Sequence, residues 1–214
     1  MINKEKLDTT QSKPNCITWF RLNVSFHYKM KKDEYLFKSK RLGFRNWRNK
    51  DLEEFVKLNS DDLVMEHFPN TLSINEVENL IDRLKNQFSE NGFTYYATEI
   101  LETKEFIGMI GLASQTYESN FTPAVDIGWR LKRSAWGKGY ATEGAKRCIE
   151  YAFNELLINK IISVCTTNNS KSENVMKKLG MTKIGEFNHP EIDRNSEHEK
   201  HFCYEINKTE ANTV

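Results

Sequence analysis

The feature that most constrains the fold is a change of apolar period across a turn that contains two glycines. Residues 124–131 form a short run that suits a β-strand, and Gly137 and Gly139 follow it after a brief connection. Beyond the turn, apolar residues recur at helical spacing, which predicts a helix with one buried face. A strand that enters a helix through such a turn exposes backbone N–H groups to an anion. The residues of the predicted helix face are Ala141, Ala145, Cys148, Ile149, Ala152 and Phe153.

Periodicity along the rest of the chain predicts the order β-α-α-β-β-β-α-β-α-β-β, without an internal repeat. Three capping boxes predict where helices start, because Asp51, Ser73 and Ser170 are each followed three residues later by a glutamate. Spacing predicts that the helix after Ser73 has one apolar face, which consists of Val77, Leu80, Ile81, Leu84 and Phe88. The pattern is typical of one α/β domain, which we place at residues 35–208, with a short tail at residues 209–214. The predicted strands are residues 42–47, 93–101, 106–112, 124–131, 160–166, 181–187 and 201–206.

Residues 1–34 precede the first regular pattern. Within them, residues 17–28 are apolar and aromatic, but Arg21, Asn23 and His27 interrupt the run. A secretory signal needs an uninterrupted apolar stretch and a small-residue cleavage site, and both are missing. Two interpretations stay open: a loosely attached N-terminal arm, or an extension of the gene model upstream of a true initiator at Met30.

Composition narrows the class of protein. A formal net charge of +1 over 214 residues argues against a general nucleic-acid-binding protein, because neutralising phosphates needs a basic excess. No apolar run approaches the length of about 18 residues that a membrane span requires. The four cysteines form no C-x-x-C pair, and His198 and His201 have no further ligands beside them, so we expect no metal site. These observations predict a cytoplasmic protein with free thiols and with neither nucleic acid nor membrane as a partner.

Two common nucleotide-binding motifs do not fit the turn at Gly137 and Gly139. A Walker A loop needs G-x-x-x-x-G-K-[ST], and a dinucleotide fingerprint (G-x-G-x-x-G) needs a glycine where this chain has Thr142. Residues 137–144 (GKGYATEG) instead resemble the acetyl-CoA pyrophosphate loop of the GNAT superfamily of N-acetyltransferases. A plain glycine turn between strand and helix is the alternative interpretation.

Further segments extend the resemblance to about residues 38–206. They follow the order of the ribosomal-protein-alanine acetyltransferase (RimJ/RimL-like) subgroup of that superfamily. The resemblance implies a single GNAT-like domain, with a central mixed, mostly antiparallel sheet flanked by helices. The segments are residues 41–45 (RLGFR), 64–69 (VMEHFP), 107–111 (IGMIG), 126–129 (DIGW) and 178–181 (KLGM).

The resemblance also implies that acetyl-CoA is the co-substrate. In that family the strand before the turn pairs through its backbone with the pantetheine arm, and amides of the turn hold the pyrophosphate. The family's Gln/Arg position before the first glycine is Ser134 here, so phosphate contacts would shift to Arg133 and Lys138. Asn169 resembles the start of the family's N-x-x-S element, although asparagine is also a common helix cap. The implied cofactor-binding residues are Ile127, Trp129, Leu131, Gly137, Lys138, Gly139, Tyr140, Ala141, Thr142, Asn169 and Asn174.

Catalysis of acetyl transfer to an amine needs a base for the ammonium proton and an acid for the leaving thiolate. The resemblance suggests Asp126 as the base, acting through water, and a structural carboxylate is the alternative. Met176 occupies the position where many relatives have a tyrosine that serves as the acid. Ser172 is therefore the nearest candidate for the acid, with bulk water as the alternative.

The acceptor is expected to be a primary amine, on a protein N-terminus or on a small molecule. Phe68 and His189 are predicted to border it, whereas Tyr95 is interpreted as a core aromatic. Two other functions stay open. Met176 and Ser134 would suit a non-catalytic CoA-binding module, and the aromatic N-terminal arm would suit an interaction protein that dimerises. The chain could therefore act alone or as a homodimer.

Overall fold

The computed structural model describes residues 35–208, which contain eight strands and four α-helices. The predicted arm at residues 1–34 and the predicted tail at residues 209–214 lie outside the described residues. The strands are β1 (Phe37–Lys38), β2 (Leu42–Arg45), β3 (Tyr95–Ile100), β4 (Phe106–Gln115), β5 (Ala124–Leu131), β6 (Lys160–Thr166), β7 (Thr182–Asn188) and β8 (Lys200–Asn207). The helices are α1 (Leu52–Asn59), α2 (Ile74–Asn91), α3 (Tyr140–Asn154) and α4 (Ser170–Lys178). Two 3₁₀ helices, Asn49–Asp51 and Arg133–Ala135, also lie in this range.

The strands form one sheet in the order β1-β2-β3-β4-β5-β6-β8-β7. Every neighbouring pair is antiparallel except β5 and β6, which run parallel. This confirms the predicted mixed, mostly antiparallel sheet, and the long strands follow one another along the chain as predicted. The short strand β1 was not predicted, because two residues are too few to show a period.

Helices pack on both faces of the sheet. On one face, Val77, Leu80, Ile81 and Leu84 of α2 join a buried cluster with residues of α1 and with Ala97 and Met109 of the sheet. On the other face, α3 buries five residues of its predicted stripe, from Ala145 to Phe153. Because side chains alternate along a strand, neighbouring residues of β4 contact different helices. The predicted apolar faces of both helices are therefore confirmed.

Only one of the three predicted capping boxes forms as expected. Ser73 Oγ accepts from the Glu76 amide at 3.4 Å, and a Glu76 carboxylate oxygen accepts from the Ser73 amide at 2.8 Å. The predicted box at Ser170 is wrong: Asn169 caps α4, and its Oδ1 accepts from the Ser172 amide at 3.0 Å. An asparagine one residue upstream competes for the same amides, since asparagine is an equally strong cap.

Asp51 does stand at the N-cap of α1, but its predicted side-chain bond is absent, because a buried arginine takes the carboxylate. The guanidinium of Arg45 donates to Asp51 at 2.7 and 2.8 Å and to Glu99 at 2.8 Å, and all three residues are 2% exposed. An unpaired buried charge costs more than a missing helix cap, so the carboxylate pairs with the arginine. This network ties β2, β3 and the start of α1 together.

Candidate active site

The sheet opens between β5 and β6. Asp126 pairs with Ile162, and beyond that position the described residues contain no further pair between these two strands. The Lys132 amide donates to the Ile107 carbonyl at 2.9 Å, on the side of β4. Because backbone groups alternate along a strand, those of Trp129 and Leu131 point to the opposite side, into the opening. A strand edge with free N–H and C=O groups can pair with an extended ligand.

Two side chains already occupy part of this edge. Ser163 Oγ donates to the Ile127 carbonyl at 2.8 Å, and Trp136 Nε1 donates to the Leu131 carbonyl at 2.8 Å. The edge therefore presents the N–H and C=O of Trp129 and the N–H of Leu131. Ile127 is the least suited of the three backbone positions predicted to bind a cofactor, because it is buried and its carbonyl already accepts a hydrogen bond from Ser163.

The glycine turn lies at the end of this edge, directly before α3. Gly137 and Gly139 have φ of 72° and 79°, a conformation that side chains disfavour, and Gly139 is the N-cap of α3. Among the described residues, a Cβ at Gly137 would meet nothing within 4 Å, and one at Gly139 would meet only Arg41 Nη2, at 3.5 Å. The glycines are therefore required by the backbone conformation, and the space above them stays open for a ligand at the helix N-terminus.

A cavity of about 540 Å³ joins the open edge to the turn. It is also bordered by the connection between α1 and α2 and by the start of α4. The structure brings ten of the predicted site residues together on its wall. They are Phe68, Trp129, Leu131, Gly137, Gly139, Tyr140, Ala141, Thr142, Asn169 and Ser172.

Five predicted site residues lie outside the cavity wall. Lys138 and Asn174 are exposed near its rim, and Ile127 is buried in the sheet. His189 lies in another cluster, where its ring is 4.4 Å from that of Tyr117, and burial lowers its pKa. The fifth residue is Asp126.

Asp126 is 4% exposed and bonded to a tyrosine. The hydroxyl of Tyr95 donates to its carboxylate at 2.7 and 2.9 Å, and burial raises the pKa of Asp126 to about 6. Tyr95 was interpreted from the sequence as a core aromatic, and its contact with a candidate base was missed. Its ring lies across Gly128, where a Cβ would be 3.0 Å from it. The chain gave no local signal for this contact, because it depends on the register of three strands.

The cavity also contains cationic side chains that were not predicted. Lys171 Nζ lies 4.6 Å from the centre of the Trp136 ring, and Lys178 lies on the same wall. The guanidinium of Arg130 lies 4.0 Å above the ring of Phe68. These cations give the cavity a positive lining that suits an anionic ligand.

Neither a metal site nor a membrane-spanning helix is found in the described part of the chain. Between residues 35 and 208, no group of three or more His, Cys, Asp or Glu side chains is arranged to hold a metal ion. None of the helices in this range is long and apolar enough to cross a membrane. Cys148, Cys165 and Cys203 are buried free thiols, as predicted for them.

The open edge, the glycine turn and the positive cavity define a site for a long ligand with an anionic end, of the kind that coenzyme A provides. Residues 41–182 match the family model described as "Acetyltransferase (GNAT) domain". The chain therefore belongs to the GNAT family of N-acetyltransferases, enzymes that take their acetyl group from acetyl-CoA.

Individual relatives agree with this assignment. The chain is 29% identical to the uncharacterized N-acetyltransferase YnaD of Bacillus subtilis, over 70% of this chain and 84% of that protein. It is 35% identical to the B. subtilis protein YkkB over 45% of this chain, and that match spans only 56% of YkkB.

Solved structures share the fold. A GNAT-family acetyltransferase from Bacillus anthracis superposes with a TM-score of 0.67 at 27% identity, covering 81% of this chain and 98% of that one. RimJ of Mycobacterium smegmatis, solved in complex with CoA-disulfide, superposes with a TM-score of 0.63 over 79% of this chain and 83% of that one. At 15% identity, the second likeness concerns the fold alone.

Proposed function

We propose that this protein transfers the acetyl group of acetyl-CoA to a primary amine, on a protein N-terminus or a small molecule, by direct attack of the amine on the thioester. The observation that carries the proposal is the free backbone edge at Trp129, which leads directly to the glycine turn before α3. The five segments that follow the order of the RimJ/RimL-like subgroup favour that subgroup within the family. A cytoplasmic location and the absence of nucleic-acid and membrane partners remain predictions, and so does the choice between monomer and homodimer.

The cofactor would lie along the open edge. The backbone of Trp129 and the amide of Leu131 would pair with the amides of the pantetheine arm, as an added strand does. The amides of residues 137–141 and the positive end of the α3 dipole would hold the pyrophosphate. Ser134 stands at the family's Gln/Arg position and carries no charge. The positive charge opposite the pyrophosphate would therefore come from Lys171 and Lys178, together with Lys138 at the rim of the cavity.

The start of α4 would hold the other side of the cofactor. Asn169 Oδ1 is engaged by the Ser172 amide, so the side-chain N–H₂ of Asn169 is the group left to donate to a pantetheine carbonyl. Met176 is 1% exposed and has no proton to donate, whereas the Ser172 hydroxyl lies at the cavity. Ser172 would therefore protonate the leaving thiolate. Asn174, which is exposed two residues further along α4, would contact the adenosine end.

The base would be Asp126, acting through Tyr95. A pKa of about 6 leaves the carboxylate ionised at neutral pH and suits a base near its working range. The acceptor ammonium would lose its proton to the Tyr95 oxygen, directly or through water, while the Tyr95 hydroxyl proton passes to Asp126. The neutral amine would then attack the thioester carbon, with free N–H groups of β5 near the developing oxyanion. Phe68 would form one wall of the acceptor site and His189 its outer border.

A binding and turnover experiment tests the proposal. Acetyl-CoA is titrated calorimetrically, and CoA thiol release is followed with a panel of simple amines, polyamines and peptides with free N-termini. We expect binding together with amine-dependent thiol release and acetylated product. Binding without acetylation of any amine would favour the non-catalytic CoA-binding module instead.

A further inference from the structure

Arg130 is a half-buried cation on the cavity wall, without a carboxylate partner among the described residues. Its Nη1 donates to Asn59 Oδ1, its guanidinium lies 4.0 Å above the Phe68 ring, and its Nε is buried without a hydrogen-bond partner. No ion pair to Arg130 occurs within residues 35–208. Burial lowers the pKa of Arg130 to about 10, so the group stays protonated at neutral pH. A buried charge of this kind costs free energy until a counter-ion arrives.

The acidic side chains around this wall are engaged elsewhere. Three of them pair with another cation, and Asp126 accepts a hydrogen bond from the Tyr95 hydroxyl. Arg83 repels the guanidinium of Arg130, and Tyr95 is a neutral phenol at pH 7 and so offers no compensating charge. The engaged pairs are Asp61 with Arg133 at 2.6 Å, Glu54 with Lys132, and Glu66 with Lys171 at 4.0 Å.

Arg130 lies on the acceptor side of the proposed site. Along β5 its side chain shares a face with Asp126 and Gly128, because residues two apart point the same way. That face is covered by α1, through Asn59, and by the connection between α1 and α2, through Phe68. The proposed cofactor groups are instead the backbone edge of Trp129 and the glycine turn, which lie along the edge of the strand rather than on this face.

We propose that Arg130 binds a carboxylate or phosphate group of the acceptor, so that the preferred acceptor is an amine that carries its own anionic group. This rests on the proposed N-acetyltransferase function and narrows its substrate class. The planar guanidinium, with Phe68 stacked on one side, leaves its outer N–H groups to form paired hydrogen bonds with two oxygens. A polyamine fits poorly, because its second ammonium group would meet the same uncompensated cation.

Matched amine pairs test this. The first pair is 4-aminobutyrate and butylamine, and the second is phosphoethanolamine and ethanolamine, so that the arms distinguish a carboxylate from a phosphate. Within at least one pair we expect kcat/KM to be about 10- to 100-fold higher for the anionic amine, the range for hydrogen bonds to a charged group. Binding is scored separately, as the rise in melting temperature of CoA-saturated protein on adding each amine.

Variants then assign the preference to Arg130. In Arg130→Gln, the ratio of kcat/KM for the anionic amine to kcat/KM for its neutral partner should fall to within about 3-fold of one, mainly because KM for the anionic amine rises. Arg130→Lys should keep part of the preference. Arg147→Gln is the matched control, since Arg147 lies on α3, pairs with Glu155 and is outside the cavity. Acetyl-CoA affinity should stay within about 3-fold of wild type in all three variants.

Three results would overturn the inference. The first is equal kcat/KM within both pairs. The second is equal melting shifts within both pairs, which counts even if none of the four amines is acetylated. The third is a loss of acetyl-CoA affinity in Arg130→Gln with the acceptor preference intact, since Arg130 would then be a cofactor ligand. The first and third leave the proposed N-acetyltransferase function standing, whereas failure to acetylate any amine of the wider panel counts against that function alone.

Discussion

The hydroxyl of Tyr95 donates a hydrogen bond to the carboxylate of Asp126, 2.7 Å from Oδ1 and 2.9 Å from Oδ2. The two residues meet across β4, because Tyr95 pairs with Gly111 and Gly111 pairs with Gly128. The glycine at position 128 leaves room for the tyrosine ring on this face. The contact links a buried carboxylate to the hydroxyl of a half-buried tyrosine, and the proposed base would act through this hydroxyl.

The first prediction concerns Asp126→Asn. The variant should lower kcat by about 10²- to 10⁴-fold, the usual effect of losing a general base. Acetyl-CoA affinity should barely change, because Asp126 lies outside the cavity. Steady-state kinetics with a saturating amine measure the first quantity and calorimetry the second. Partial recovery at high pH is expected as the amine deprotonates unaided, and near-normal turnover at neutral pH would make Asp126 structural.

The second prediction concerns Tyr95→Phe and the pH profile of kcat. The hydrogen bond from Tyr95 lowers the pKa of Asp126 and so opposes the effect of burial. Loss of the hydroxyl removes the proposed proton relay, so kcat should fall at every pH. It should also move the acidic limb of the profile upward from about 6, so the variant loses more activity at pH 6.5 than at pH 9. Tyr96→Phe is the matched control, since the Tyr96 side chain packs against Phe37 on the opposite face of the sheet. An unchanged limb in Tyr95→Phe would show that the coupled pair does not control the rate.

The third prediction concerns Gly137→Val and Gly139→Val. Each variant should abolish acetyl-CoA binding, because a branched Cβ opposes the positive φ and blocks the approach of a pyrophosphate. Gly92→Val is the matched control: Gly92 ends α2 with φ of 77° but lies outside the cavity. It should carry a similar strain, about 1–3 kcal/mol, with cofactor affinity unchanged. Undiminished affinity in both loop variants would refute the assignment of the turn.

The fourth prediction concerns stability. Burial raises the pKa of Asp126 from 3.8 to about 6, so the folded state holds this proton more tightly than the unfolded state does. The resulting stabilisation exists below pH 3.8 and is lost as the pH rises through about 6. Relative to wild type, Asp126→Asn should therefore gain on the order of 2 kcal/mol between pH 4 and pH 7.5. Thermal melts of both proteins at the two pH values measure this gain. A difference in stability between variant and wild type that is the same at pH 4 and pH 7.5 would contradict the prediction.

Local signals in the sequence determined much of the fold. The strand, glycine turn and helix around Gly137, the apolar face of α2 and the cap at Ser73 all formed as predicted. Each depends on periodicity or on bonds between residues a few positions apart, which the chain carries wherever it lies. The resemblance of residues 137–144 to a pyrophosphate loop was equally local, and the family match agrees with it.

Only the tertiary structure decided which partners the charged and polar side chains of the site contact. The carboxylate of Asp51 pairs with Arg45 instead of making the predicted cap bond. His189, proposed at the outer border of the acceptor site, packs against Tyr117 and lies outside the cavity wall. The partners of Asp126 and Arg130, Tyr95 and Phe68, are separated from them by tens of residues. Such contacts depend on strand register and on which helix covers each face. Those follow from packing of the whole core, which no short segment of the sequence specifies.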